Sequence, residues 1–170
     1  MNTTAMSIKQ PIQHDVLVAF GSNQGDSEAW LAQVVGILRR QTWIFDFQTS
    51  RGYWTPPVDC EPGARDFLNV VFRWKVPEKT SPEEVLAFLL QQEKDLGRKR
   101  LPGTRSRNVD LDLLLFDGEC RHQPPTLILP HPRMCQRRFV LEPAVEIAGE
   151  WIHPVEKKSL RELLSQVVEN

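Results

Sequence analysis

RSRNVDLDLLLFDG (105–118) sets two carboxylates, Asp110 and Asp112, into a run that is otherwise Val, Leu and Phe. An apolar run of this length, closed by Asp-Gly, predicts a buried strand over 108–116. Side chains along a strand alternate between faces. Val109, Leu111 and Leu113 therefore point into a core, while Asp110 and Asp112 leave the opposite face roughly 7 Å apart. Two carboxylates on such a strand cost free energy unless a partner neutralises them. Arg105 and Arg107 stand just upstream.

The segments on either side complete a pattern. DVLVAF (15–20) reads as a short buried strand that breaks at Gly21, Ser22 and Asn23. Asp26 or Ser27 then caps a helix in which Trp30, Leu31, Val34, Val35 and Leu38 recur at helical spacing. Trp43, Phe45 and Phe47 alternate, which predicts a strand running on toward Trp54. Residues 55–66 form a loop, because Pro-Pro and Pro-Gly break regular structure, and 67–76 is the next strand. Ser81, Pro82 and Glu84 make a capping box that opens a second helix, which Gly97 closes. RKRLPGTRSR (98–107) is a basic loop, PTLILP (125–130) a further strand, and Ser159 with Glu162 caps a last helix. The fold class is α+β: a ferredoxin-like β-α-β-β-α-β antiparallel sheet with both helices on one face and a C-terminal helical addition. The other face of the sheet is free to carry a site. Residues 1–14 read as a flexible tail and 15–170 as one domain.

Bulk properties narrow the function. The 170 residues suit a single domain, and a net charge of −1 lacks the basic footprint of a nucleic-acid binder. No apolar stretch approaches the length of a membrane span. Three scattered cysteines make no disulfide framework, which points to a cytoplasmic protein with reduced thiols.

Asp110 and Asp112 offer hard oxygen ligands that favour Mg²⁺, and Mg²⁺ commonly shares its shell with substrate phosphates. The nearby arginines suit those phosphates. Together they compose a phosphoryl-transfer site, where catalysis is positioning and charge neutralisation. Taken alone, the same pattern also fits the wet face of a half-exposed sheet. An RNA-binding module of the same element order needs aromatics where this strand has acids.

Four stretches then fall in order across residues 16–148. RSRNVDLDLLLF resembles the signature of the 6-hydroxymethyl-7,8-dihydropterin pyrophosphokinase family. AFGSNQGD (19–26) is similar to that family's N-terminal strand and turn. YWTPPV (53–58) with DFLNVV (66–71) resembles its pterin loop and strand, and LPHPRMCQRRFVLEPAVEIA (129–148) its C-terminal block. The resemblance implies transfer of diphosphate from ATP to the pterin's hydroxymethyl oxygen in folate biosynthesis, with release of AMP. It implies two Mg²⁺ ions on Asp110 and Asp112, with Arg98 and Arg107 also catalytic. Thr55, Pro56, Val58, Phe67, Asn69 and Phe139 would bind the pterin. Glu93, Arg98, Arg100, Arg107, His131 and Arg137 would bind ATP. The partners implied are these small molecules, with no nucleic acid and no membrane, and a monomeric enzyme. One departure stands out: LPGTRS (101–106) lacks the aromatic residue that family members often carry there.

Overall fold

The computed structural model describes residues 13–58, 60–98 and 106–167. Most of the predicted tail and most of the basic loop, Arg100 and Arg105 included, lie outside the described residues. Gln13 and His14 do not belong to a tail: strand β1 spans Gln13–Ser22. It also runs straight through Gly21, where the sequence suggests a break. Helix α1 (Ser27–Arg39) follows, with the Asp26 carboxylate accepting from the Ala29 amide. The aromatic stretch expected as one strand is two, β2 (Phe45–Thr49) and β3 (Tyr53–Thr55). β4 (Phe67–Pro77) and α2 (Pro82–Asp95) come next. Both halves of the α2 capping box are made between Ser81 and Glu84. Gly97 then takes φ +75°, a left-handed conformation that glycine adopts without strain.

β5 spans Asp110–Phe116, so the first carboxylate stands at its start. The strand expected at 125–130 is shorter, β7 (Leu127–Leu129). It pairs with β6 (Arg121–Gln123) in a separate two-stranded sheet. The main sheet has the order β2-β4-β1-β5, with β3 also on β4. Its pairs are all antiparallel. β4 thus lies between β1 and β2, which is the split βαβ arrangement.

α1 and α2 pack on one face, over a core that includes Val16, Val18, Phe72, Trp74, Leu111 and Leu113. The opposite face is not wholly free. α3 (Arg138–Ala148) and α4 (Leu160–Gln166) cover part of it through a second core of Leu17, Val71, Leu114, Leu141, Ala144 and Leu160. α3 has no side-chain cap and holds Pro143 in its interior. Both features argue against a helix in sequence, yet burial of its apolar face stabilises it. A bulge sharpens the division of the sheet. Leu17 pairs with Leu115 and Val18 with Leu113, leaving Leu114 as the extra residue of β5. Leu114 and Leu115 both serve the second core, and Phe116 returns to the first. Before the bulge, Asp110 and Asp112 stay on the side that α3 leaves partly open.

Candidate active site

The cleft sits on that open part of the sheet. One row of residues crosses its floor: Tyr53 pairs with Asn69, Asn69 with Gly21, and Gly21 with Asp110. The next row runs Val71, Ala19, Asp112. Gly21 lies at the centre of the cleft. A Cβ there would lie 4.0 Å from Asn69 Oδ1, Asp110 Cβ and Phe67 Cδ1. Its missing side chain gives a flat floor between the amide and the carboxylate.

Thr55, Pro56, Val58, Phe67, Asn69 and Phe139 all line this cleft, together with Arg107, Asp110, Asp112 and Arg137. The structure thus brings ten of the expected residues to one place, while Glu93, Arg98 and His131 do not line it and Arg100 lies outside the described residues; the sequence reading did not foresee every lining residue. It missed Ala19, Gly21 and Cys60, which also line it.

Asn69 is 7% exposed. Its Nδ2 donates to Thr55 Oγ1 at 2.8 Å and approaches the carbonyls of Phe67 and Tyr53 at 3.3 and 3.4 Å. Two carbonyls can only accept, so the amide orientation is fixed. Its Oδ1 is left to face the cleft as an acceptor. Phe67 and Phe139 each carry a guanidinium: Arg107 Cζ is 5.9 Å from one ring centre, and Arg137 Cζ is 5.5 Å from the other.

The two aspartates differ sharply. Arg98 Nη2 reaches Asp110 Oδ1 at 2.8 Å, and Arg107 Nη1 reaches Asp110 Oδ2 at 2.6 Å. Arg98 also pairs with Glu93. Glu93 is 4% exposed, and its other oxygen accepts from the Leu111 amide at 2.6 Å. Burial works against the charge on Arg98, but Asp110 and Glu93 outweigh it and raise its pKa. Asp112 makes no side-chain hydrogen bond among the described residues. His131 Nε2 stands 3.9 Å from its Oδ2, beyond hydrogen-bond reach. Burial, then the Asp110 charge, push the Asp112 carboxyl up to about 6, against the pull of Arg137, Arg107 and Arg98. Its side chain is still 37% exposed, open to the cleft.

His131 is not an ion-pair partner for it. Burial, then Arg137 and Arg133, lower its pKa to about 4, so the ring is neutral near pH 7. Its Nδ1 accepts from the Arg133 amide at 3.2 Å, which places the proton on Nε2, facing Asp112.

This donor set fits Mg²⁺. It is oxygen only, it includes one unbraced carboxylate, and it leaves most of a coordination shell for water and phosphate. Among the described residues, no group of three His, Cys, Asp or Glu side chains could hold a metal by itself. A divalent ion here would therefore rely on substrate oxygens.

A flat cleft with an amide at one end, and aspartates and arginines at the other, suits a transferase that joins a planar ring to a polyphosphate. A model of the 7,8-dihydro-6-hydroxymethylpterin-pyrophosphokinase family matches residues 17–149, and the chain belongs to that family. It is a pyrophosphokinase of folate biosynthesis. The 2-amino-4-hydroxy-6-hydroxymethyldihydropteridine pyrophosphokinase of Bacillus subtilis is 40% identical over 133 residues, covering 78% of this chain and 77% of its own. The enzyme of that name from Synechocystis is 32% identical over 155 residues, covering 91% and 76%. Among solved structures, wild-type Plasmodium falciparum HPPK-DHPS with pteroate superposes with a TM-score of 0.67 at 11% identity. That match covers 93% of this chain and 43% of the Plasmodium chain, so this chain spans less than half of it. At that identity the likeness speaks for the fold alone.

Proposed function

We propose that the chain transfers diphosphate from ATP to the hydroxymethyl oxygen of 6-hydroxymethyl-7,8-dihydropterin, with Mg²⁺ at Asp110 and Asp112. The observation that carries the reading is the contrast between the two aspartates, set across the cleft floor from Asn69. A pterin ring lies over Gly21, flanked by Phe67 and Phe139. Asn69 Oδ1 accepts from the ring's N–H edge, and the backbone at Thr55, Pro56 and Val58 meets the remaining edge groups. Thr55 Oγ1 holds the Asn69 amide in that orientation.

At the other end, Arg98 and Arg107 hold Asp110 between them, and their guanidinium charges attract phosphate oxygens. Arg137 and the neutral His131, through Nε2–H, bind the same polyphosphate. Glu93 acts from behind β5 by bracing Arg98, rather than by touching nucleotide. Asp110 and Asp112 would hold two Mg²⁺ ions, which would supply neutralisation of the charge that builds on the phosphates in the transition state. Residues of a single chain line the cleft, which supports a monomer. Cys60, Cys120 and Cys135 carry thiols rather than a disulfide framework, which supports the cytoplasm. Among the described residues, no helix is long and apolar enough to cross a membrane.

The test is product analysis. Protein, ATP, Mg²⁺ and 6-hydroxymethyl-7,8-dihydropterin should yield AMP and the pterin diphosphate. ADP in place of AMP would mean transfer of a single phosphoryl group and would overturn the reading.

A further inference from the structure

Asn23 lies in the turn between β1 and α1 and is 2% exposed. Every polar atom of its side chain is used. Oδ1 accepts from the Arg107 amide at 2.8 Å. Nδ2 donates to Ser106 Oγ at 3.1 Å and to the Arg65 carbonyl at 3.2 Å. An amide N–H can only donate and a carbonyl can only accept, so this orientation is forced. The backbone adds to it: the Asn23 and Gln24 amides donate to the Arg107 carbonyl at 3.0 and 3.2 Å. Arg65 Nη1 donates to the Gly25 carbonyl at 3.2 Å, and Ser106 Oγ is hydrogen-bonded to the Glu61 carboxylate.

Three segments therefore meet at one side-chain amide: the turn after β1, the loop that runs from Thr55 to Phe67, and the entry into β5. Two of them carry the opposite ends of the cleft. The first holds the ring-binding residues. The second holds Arg107, whose guanidinium grips Asp110 and lies over Phe67. Asn23 itself does not line the cleft.

We propose that Asn23 is a positioning residue that fixes the Arg107 backbone against the ring-binding loop, so that filling one end of the cleft organises the other. The assignment rests on the pyrophosphokinase reading above. Its physical basis is leverage: moving the Arg107 backbone shifts its guanidinium against both Asp110 and Phe67. A misplacement of about 1 Å in such a site costs on the order of 100-fold in rate.

Asn23→Ala removes the three side-chain hydrogen bonds of the clamp and leaves its backbone bonds. Ser106→Ala removes one hydroxyl at a half-buried position and tests the same link if the first variant does not fold. Turnover should fall ~10–100-fold in Asn23→Ala, and by less in Ser106→Ala, with KM for each substrate nearly unchanged. A loss of folded protein would imitate that result, so the decisive readout is a dissociation constant. Pterin affinity is measured by calorimetry with and without Mg²⁺ and a non-hydrolysable ATP analogue. The analogue should tighten pterin binding to the wild type and lose much of that effect in both variants. Full turnover in folded variants, coupling equal to the wild type, or no coupling in the wild type would each overturn the assignment. A wild type that forms no AMP would overturn the pyrophosphokinase reading and this assignment with it. A working wild type beside fully active variants would overturn the assignment alone.

Discussion

Asp110 and Asp112 project from the same face of β5, yet Asp110 is held between Arg98 and Arg107, while among the described residues the Asp112 carboxylate has no hydrogen-bonded partner. One carboxylate thus helps to build the site, and the other stays open to a cation. This asymmetry separates two residues that look equivalent in the sequence.

With Mg²⁺ held at Asp112 as proposed, metal binding should depend on pH. A proton and Mg²⁺ compete for Asp112, whose pKa is raised to about 6, by burial first and then by the Asp110 charge. Affinity for Mg²⁺, measured with an ATP analogue at constant ionic strength, should weaken as pH falls through this value. Asp112→Asn should bind Mg²⁺ weakly and without that dependence. A wild-type affinity that is flat between pH 5 and pH 8, roughly the range around the shifted value, would count against Asp112 as a ligand.

The ring end of the cleft offers a second check. Asn69→Ala removes the acceptor facing Gly21 and should weaken pterin binding by about 1–3 kcal/mol, with ATP binding unchanged. Gly21→Val should leave the fold intact, because Gly21 sits within β1 and β-branched residues suit strands. It should still lower pterin affinity, since its methyl groups would stand on the cleft floor. Calorimetry with each ligand separately decides both. Equal losses for pterin and ATP would show that these residues shape the whole cleft rather than one end.

Stability should also respond to pH away from the cleft. His14 Nδ1 lies 2.5 Å from Asp117 Oδ2 and Nε2 lies 2.9 Å from the Glu78 carbonyl, so both ring nitrogens face acceptors. Burial lowers its pKa, but the Asp117 bond and the Glu78 carbonyl outweigh it and raise the value above 6.5. A raised histidine stabilises fully below its unfolded value, and the gain is lost as pH rises through the folded one. With these side chains 22% and 35% exposed, the gain should stay below about 1 kcal/mol. His153 acts in the opposite sense. Burial lowers its pKa, so its contribution is lost as pH falls below 6.5. Thermal unfolding across this range should show the alkaline decline in the wild type and not in Asp117→Asn. An identical alkaline decline in that variant would rule out the His14 pair as its source.

The parts of the fold that local pattern specifies were legible in the sequence. The alternation of Val109 to Leu113 set the facing of β5, and Ser81 with Glu84 marked the start of α2. Helix α3 was hidden because Pro143 and an uncapped start contradict the packing that stabilises it. The site was legible where its chemistry needs charge, as at Asp110, Asp112 and Arg107. It was hidden where it needs absence or distance. Gly21 reads as a strand break, and only its pairing with Asn69 and Asp110 reveals a cleft floor. Asn23 works on backbone atoms 42 and 84 residues away, which no local spacing can show. Glu93, expected at the nucleotide, is withdrawn into the interior by the Leu111 amide.

The division of labour between the two aspartates is the claim most directly open to test, by thermal unfolding in EDTA paired with AMP formation in saturating Mg²⁺. Asp112 has a raised pKa, so its ionisation at neutral pH opposes folding. Stability is greatest below the unfolded value and falls as pH rises through about 6. Asp112→Asn should therefore match or exceed the wild type in Tm at pH 7, by no more than ~4 °C for a partly exposed group in a chain of this size. Asp110→Asn should lose stability, by about 1–3 kcal/mol, because Arg98 and Arg107 lose a shared partner. Both variants should lose turnover by orders of magnitude, since charge stabilisation by the metal is worth several kcal/mol. Near-full activity in Asp112→Asn, or a Tm ranking with Asp112→Asn below Asp110→Asn, would contradict the account.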